Sequence, residues 1–374
     1  MYSQQELDDA VAAGAITQGS ADALRAYVAQ ARSTPTVDQE HFRLILGFND
    51  IFVSIATIIM FVAVTWIGQS VGQSIGLTVD TDGPSPIAGL AMAAVAWGLA
   101  TYFTGKKRMA LPSIVLLGGF VGGVFTAVAS TLALVVQQVA DEPSEIIVGI
   151  LVAASFAVTA AAAWVHWKRF KVPVTVAAGA VAVAGIVAGL IGSGLAMLDL
   201  PSETFENVML AIVMGLGVVI FLYAMRWDAS DPHRITRRSD VAFWLHLAAA
   251  VMIVHPVFTL LGLRDGQASM GEGLLAVGLY VLLGILALAI DRRAMLVSAL
   301  AYVLWALSDL FERFGAVELN VALTALVIGS ALLLLSAFWH QARVAVVSKL
   351  PSSLCAKLPS LEGTTKALSP EPVG

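Results

Sequence analysis

The sequence contains only one cysteine, Cys355, so it can form no internal disulfide and has no CxxC pair for redox chemistry or zinc binding. Its six histidines are too scattered to form an HxxxH or HExxH pair. No Ser-x-x-Lys, GxSxG or P-loop motif occurs in a loop long enough to hold a substrate pocket. We therefore expect no metal, no cofactor and no enzymatic activity.

Charge is also scarce. Only 13% of the 374 residues are charged and 58% are hydrophobic, whereas soluble domains are about a quarter charged. The net charge of −5, with no dense group of Lys and Arg, argues against nucleic acid as a partner. The composition predicts a membrane protein whose main partner is the lipid bilayer.

Apolar runs of roughly 20 residues recur along the chain, which is the length that an α-helix needs to cross a hydrocarbon core of about 30 Å. Their continuity indicates helices, because the strands of a barrel would alternate polar and apolar residues. We predict an all-α, polytopic membrane protein with ten spans. They lie at about 47–68, 86–104, 112–138, 145–167, 172–194, 205–227, 240–262, 271–290, 294–314 and 317–340.

The basic residues predict the orientation of these spans. If the N-terminus is cytoplasmic, 19 of the 21 Lys and Arg residues fall on the cytoplasmic side, and only Arg264 and Arg313 fall outside. Positive residues concentrate on the cytoplasmic side of membrane proteins. Ten spans with both termini in the cytoplasm are therefore predicted.

The first 45 residues read as a small cytoplasmic helical hairpin ahead of the membrane domain at 46–340. Gly14 is placed to end the first helix and Thr17 to cap the second. Acidic residues and the lack of an apolar core in this region argue against a signal peptide. Residues 341–374 form a cytoplasmic tail that begins at the membrane interface and ends with the composition of a disordered segment.

The order Leu7, Gly14, Ile16, Thr17, Ala21 and Leu24, followed by a span ending near 62–66, resembles predicted bacterial membrane proteins grouped only as a domain of unknown function. The resemblance covers about the first 65 residues. It implies a multi-pass protein of the bacterial inner membrane with a cytoplasmic hairpin and no assigned activity.

Glycines at four-residue spacing stand out in two spans. The third span contains Gly118, Gly119, Gly122 and Gly123, and the fifth contains Gly185 and Gly189. Small residues at this spacing let membrane helices approach closely, so packing inside the bundle is the first interpretation. A homodimer or membrane-protein interface, and mobile helices lining a transport path, are the alternatives.

Ionisable residues inside spans are costly and are functional candidates. Asp309 and His255 each lie 15 residues from the start of their predicted span, about 22 Å along the helix. At equal depth they are candidates for a proton- or ion-coupling pair. In the alternative, Asp309 pairs with Arg313 on its own helix, and His255 bonds backbone groups freed by Pro256.

Four other polar residues are weaker candidates. Glu312 and Arg313 lie at the outer edge of the ninth span, His246 lies in the seventh, and Asp50 lies in the first turn of the first span. We interpret Asp50 as a capping residue favoured by the helix dipole. His166, next to a Trp at the inner boundary, is interpreted as interfacial.

Two functions fit these features. Ten spans with short loops are typical of a small-solute or ion-coupled permease, although the two halves show no repeat. The alternative is a non-enzymatic membrane scaffold or sensor that binds a partner through the hairpin. The sequence does not identify a substrate.

Overall fold

The computed structural model describes residues 11–14, 16–24, 48–80, 83–139, 144–231, 237–261, 270–292 and 320–351, with the single positions 296, 300, 304 and 358. It divides into two units. One comprises Met1–Phe42 and Leu361–Gly374, and the other comprises Arg43–Ser360. The described part of the larger unit is helical and contains no strand.

Ten helices are described in this larger unit. They are α1 (Phe48–Ser74), α2 (Pro86–Phe103), α3 (Ala110–Gln137), α4 (Glu145–Phe170), α5 (Val174–Ala196), α6 (Ser202–Ala229), α7 (Arg237–Leu260), α8 (Met270–Ile290), α9 (Asn320–Ala337) and α10 (Trp339–Val347). Helices α1 to α7 are long and apolar enough to cross a membrane, and α9 with α10 forms a bent eighth candidate. The prediction of a polytopic α-helical membrane protein is confirmed. Most of the predicted ninth span, at 294–314, lies outside the described residues.

Local chemistry explains several helix ends. Ser85 caps α2 by accepting a hydrogen bond from the backbone N–H of Ile87 at 3.2 Å, and Pro86 occupies the first helical position. Lys171, with φ of 56°, ends α4 in the left-handed conformation that terminates many helices. Asp291, also with φ of 56°, follows α8 in the same way. Tight turns therefore join some helices into hairpins.

Consecutive helices pack most extensively as the hairpins α2–α3, α4–α5 and α6–α7. Helix α1 lies on the first hairpin, α3 contacts α4, and α5 contacts α7. Because each hairpin meets the next, the seven long helices form one continuous bundle. Within it α7 is the most enclosed helix, because half of its most apolar 18-residue segment is buried, against 33% or less in the other six.

Two successive hairpins use glycine in the same way. A Cβ added to Gly123 of α3 would lie 2.7 Å from the backbone of both Gly89 and Ala93 on α2. A Cβ added to Gly189 of α5 would lie 2.9 Å from the backbone of both Gly149 and Ala153 on α4. Real Cβ atoms do not come so close. The two helices of each hairpin can therefore approach to this distance only because glycine has no side chain where they cross.

The six glycines singled out in the sequence divide into two sets. Gly119 and Gly185 face the rings of Phe61 and Phe156 so closely that a Cβ would clash, and Gly123 and Gly189 lie at the crossings. In the part of the chain that the structure describes, no atom lies within 4 Å of a Cβ added to Gly118, and one added to Gly122 meets only a methionine methyl at 3.9 Å. Against the described residues, therefore, Gly119 and Gly123 of α3 pack tightly and Gly118 and Gly122 do not.

The end of the membrane unit departs from a straight span. The predicted tenth span runs to residue 340, but the helix breaks at Phe338 and α10 continues at 76° to the preceding helix. Trp339, Arg343 and Val347 form the buried face of α10, at the four-residue spacing of an amphipathic helix. Helix α10 packs mainly on α8, so it folds back against the bundle.

The described part of the N-terminal unit shows the local features that the sequence predicts. Gly14 has φ of +68°, as expected of a residue that ends a helix in the left-handed region. The Thr17 hydroxyl accepts a hydrogen bond from the backbone N–H of Ser20 at 3.1 Å, which is an N-cap. Residues 18–24 are helical.

Candidate functional site

Three ionisable side chains from different elements meet inside the bundle. Asp228 lies in the last turn of α6, His246 lies in α7, and Arg292 follows the end of α8. The Asp228 carboxylate accepts hydrogen bonds from Nε of Arg292 at 3.2 Å and from Nη2, one on each oxygen. Nε2 of His246 lies 2.9 Å from Asp228 Oδ2. We call these three residues the charge cluster.

The charge cluster is almost completely enclosed. The exposed fraction of the side chain is 0% for His246, 4% for Asp228 and 3% for Arg292. Removing a carboxylate and a guanidinium from water costs several kcal/mol each, so the two charges must compensate one another. The two-pronged Arg–carboxylate geometry does this more effectively than a single contact would.

The hydrogen-bond roles assign the proton on His246. The Asp228 carboxylate, already bound by Arg292, only accepts hydrogen bonds. Nε2 of His246 therefore carries a hydrogen and donates it to Oδ2. Nδ1 is consequently the ring atom at which His246 would gain or lose a proton.

Arg292 also binds the start of α7. Its Nη2 donates to the backbone oxygen of Ser239 at 3.3 Å and contacts the Ser239 hydroxyl at 3.2 Å. Phe221 of α6 closes another side of the cluster with its ring at 5.2 Å from that of His246, nearly edge to face. One guanidinium thus joins the turn after α8 to both helices of the third hairpin.

Of the candidates taken from the sequence, His246 is the one that lies in the charge cluster. His255 is nine residues further along α7 and is half-buried, and its backbone oxygen accepts a hydrogen bond from the Thr259 hydroxyl at 2.9 Å. Asp309, Glu312 and Arg313 lie outside the described residues. The predicted coupling pair of Asp309 and His255 therefore stays a prediction.

Asp50 lies in the first turn of α1, as predicted, and is buried, with an exposed fraction of 4%. The Ser54 hydroxyl donates to its backbone oxygen at 2.7 Å, and Thr57 continues the same buried polar face of the helix. The N-terminal end of α1 is therefore polar where it meets the bundle.

The interpretation of His166 as interfacial is wrong. Its exposed fraction is 0%, and Nδ1 lies 3.2 Å from the Thr175 hydroxyl. The rings of Trp97, Phe120 and Phe170 surround it, with centroids 4.7 to 6.1 Å away. The tight turn at Lys171 brings α5 back along α4, which encloses a residue so close to the end of its helix.

Neither Asp228 nor Arg292 was singled out from the sequence. Asp228 directly follows the predicted span at 205–227, and Arg292 is one of the 19 basic residues that the prediction places on the cytoplasmic side. The separation of Asp228 and His246 along the chain gives no signal either, because Asp228 lies one residue before the end of α6 whereas His246 lies nine residues after the start of α7.

Among the described residues, no group of three His, Cys, Asp or Glu side chains is placed to hold a metal ion. No protein-family model, curated protein or solved structure matches this chain. The chemistry of the charge cluster is therefore the basis for assigning a function.

Proposed function

We propose that this protein is a small-solute transporter of the bacterial inner membrane, driven by protons or another ion, with the charge cluster as its coupling site. The proposal includes ten spans and cytoplasmic termini, as the distribution of basic residues predicts. The observation that carries it is the fully buried Asp228–His246–Arg292 cluster inside a helical membrane bundle.

Stability alone does not account for such a cluster. Replacing a buried ion pair by apolar residues of similar volume is often neutral or even stabilising by about 1–4 kcal/mol. Ionisable residues within membrane helices commonly mark ion and proton pathways. A cluster that joins three helices near one end of the bundle therefore supports a functional role.

Proton binding to His246 would alter how the helices are held. A proton on Nδ1 converts the ring to an imidazolium, which strengthens its hydrogen bond to Asp228. Arg292 then shares the carboxylate with a second cation, and its hold on α6 and α7 weakens. Protonation would thereby loosen the turn after α8 from the third hairpin, which is the kind of two-state change that alternating access needs.

The experiment uses purified protein in liposomes that contain a pH-sensitive dye. Amino acids, monosaccharides, nucleosides and polyamines are added outside in turn, and internal pH is followed. We expect one class to drive proton movement with the wild type and with Glu203→Gln, which removes an exposed carboxylate from the start of α6. Asp228→Asn should abolish proton movement. Equal proton movement in Asp228→Asn, or none with any class in the wild type, would contradict the proposal.

Asp309 and His255 remain a second candidate pair for coupling. If they carry it, Asp309→Asn should abolish solute flux while the protein still inserts into the membrane. Normal flux in that variant would remove Asp309 from the account and leave the charge cluster as the candidate.

A second candidate function is a scaffold or sensor that binds a membrane-protein partner through the N-terminal hairpin. The division of the chain into two units favours it, because residues 1–42 belong to a different unit from the helices of the membrane bundle. Deletion of residues 1–42 should then release a specific partner that otherwise co-purifies. A protein that purifies alone from native membranes in mild detergent would contradict this function.

A further inference from the structure

The turn after α8 carries two adjacent charged residues with different partners. Arg292 binds Asp228, as described above. Asp291 faces α10: its Oδ1 accepts a hydrogen bond from Nε1 of Trp339 at 2.8 Å and lies 3.7 Å from Nε of Arg343. One turn therefore connects the charge cluster to α10.

Burial and backbone geometry make this connection stiff. Trp339 and Arg343 each have an exposed fraction of 4% and lie one turn apart on the buried face of α10. Asp291 adopts φ of 56°, a left-handed conformation that Asp tolerates better than most residues. Because Asp291 is fixed in this conformation and bound to the packed helix α10, the backbone of the next residue, Arg292, has little freedom to move.

We infer that Asp291 is a positioning residue for the charge cluster, and that α10, acting through Trp339, holds Arg292 in place against Asp228. The inference rests on the proposed function only in naming the charge cluster as the coupling site. It adds that the position of α10 regulates that site. A shift of α10 would move the Asp291 turn and withdraw Arg292 from the carboxylate.

A positioning role makes a prediction that simple packing does not. Trp339 binds Asp291 and Asp228 binds Arg292, so the two contacts share no side chain. Substitutions at separate sites with no shared partner normally have additive effects on stability. If α10 positions Arg292, the effects of changing Trp339 and Asp228 will not add.

The test is a thermal unfolding cycle on full-length protein in mild detergent. Trp339→Phe removes the indole donor and keeps an aromatic ring. We expect it to lower the midpoint temperature in the wild type, and by less than half as much in Asp228→Asn, where Arg292 has already lost its charged partner. The control, Trp164→Phe, alters an exposed indole on α4 and should have the same effect in both backgrounds. Equal effects of Trp339→Phe in the two backgrounds would overturn the inference.

Two substitutions at Asp291 test whether an acceptor for the Trp339 indole is enough to preserve the positioning of Arg292. Asp291→Asn keeps an oxygen that can accept from Trp339, and Asp291→Gly removes it, while both residues tolerate the left-handed conformation. We expect Asp228→Asn to lower the midpoint in Asp291→Asn nearly as much as in the wild type, and clearly less in Asp291→Gly. Identical behaviour of the two Asp291 variants would overturn the positioning role.

These measurements need no transported solute, so they can succeed or fail independently of the proposed function. Additive effects would remove the role of α10 and leave coupling by the charge cluster intact. Non-additive effects in a protein that moves no protons would support the positioning role of α10 and contradict proton coupling by the charge cluster.

Discussion

Removing both charges of the buried pair should cost far less stability than removing either one. Asp228→Leu leaves the Arg292 guanidinium buried with only Ser239 as a described partner for its hydrogen bonds. Arg292→Met leaves the Asp228 carboxylate with His246 but without its two arginine hydrogen bonds. Breaking a buried pair in this way costs about 3–5 kcal/mol for each single variant.

The double variant leaves no buried unpaired charge. Exchanging a buried pair for apolar residues is neutral or stabilising by about 1–4 kcal/mol. Against this, His246 loses the acceptor for Nε2, which costs about 1–3 kcal/mol. The two terms nearly cancel, so we expect the double variant within about 2 kcal/mol of the wild type, whereas additive losses would reach about 6–10 kcal/mol.

Equilibrium unfolding in mixed detergent micelles measures all three variants, with Glu203→Leu as an exposed carboxylate control. A double variant that loses as much as the two singles together would refute the view that Asp228 and Arg292 neutralise one another. Single variants that lose less than about 1 kcal/mol would show instead that the pair is solvated, as surface pairs are.

Three further predictions concern the fold and its orientation. Gly123→Leu should prevent normal assembly, whereas Gly118→Leu should change stability by no more than about 0.5 kcal/mol, because among the described residues a Cβ at Gly123 meets backbone and one at Gly118 meets no atom. Size-exclusion chromatography and thermal unfolding measure both variants. Gln69→Leu should lose roughly 1–3 kcal/mol in an unfolding titration, because the Gln69 amide bonds the backbone of Gly83 at 2.8 Å and of Ser85 at 2.9 Å. In a Cys355→Ser background, Lys107→Cys should react with a membrane-impermeant maleimide only from the cytoplasmic side, and Asp199→Cys should react only from outside. The reverse pattern would contradict the predicted orientation.

The membrane class and the long helices could be predicted because both depend on local composition. A continuous apolar run forms a helix in lipid wherever it lies in the bundle, since its backbone hydrogen bonds must be satisfied internally. The caps at Thr17 and the turn at Gly14 are local for the same reason. Among the described helices, the break at Phe338 was not visible, because the apolar run continues past it and α10 is held by contacts with α8.

The glycine spacing predicted close packing in α3 but not which face packs. Gly118 and Gly122 have the same spacing as Gly119 and Gly123. Which pair packs closely depends on where α2 lies. A glycine pattern along one helix indicates that a close contact is possible there. Which of the two glycine pairs makes the contact depends on the position of the partner helix.

The charge cluster could not be predicted for a related reason. Its members lie 18 and 64 residues apart in the sequence, as measured from Asp228 to His246 and to Arg292. His246 is a candidate because it is a histidine within a span, but Asp228 has the appearance of an ordinary acid at a helix end and Arg292 that of an ordinary arginine in a loop. His166 shows the same limit, since it becomes buried only because α5 folds back along α4.

The most direct test of the central claim is proton movement by the Asp228→Leu, Arg292→Met double variant in dye-loaded liposomes, using the solute class that drives proton movement with the wild type. Because this variant is expected to be nearly as stable as the wild type, a loss of activity cannot be attributed to unfolding. We expect no change in internal pH with the double variant, because proton binding to His246 can no longer alter a contact between Asp228 and Arg292. Proton movement at the wild-type rate would contradict it.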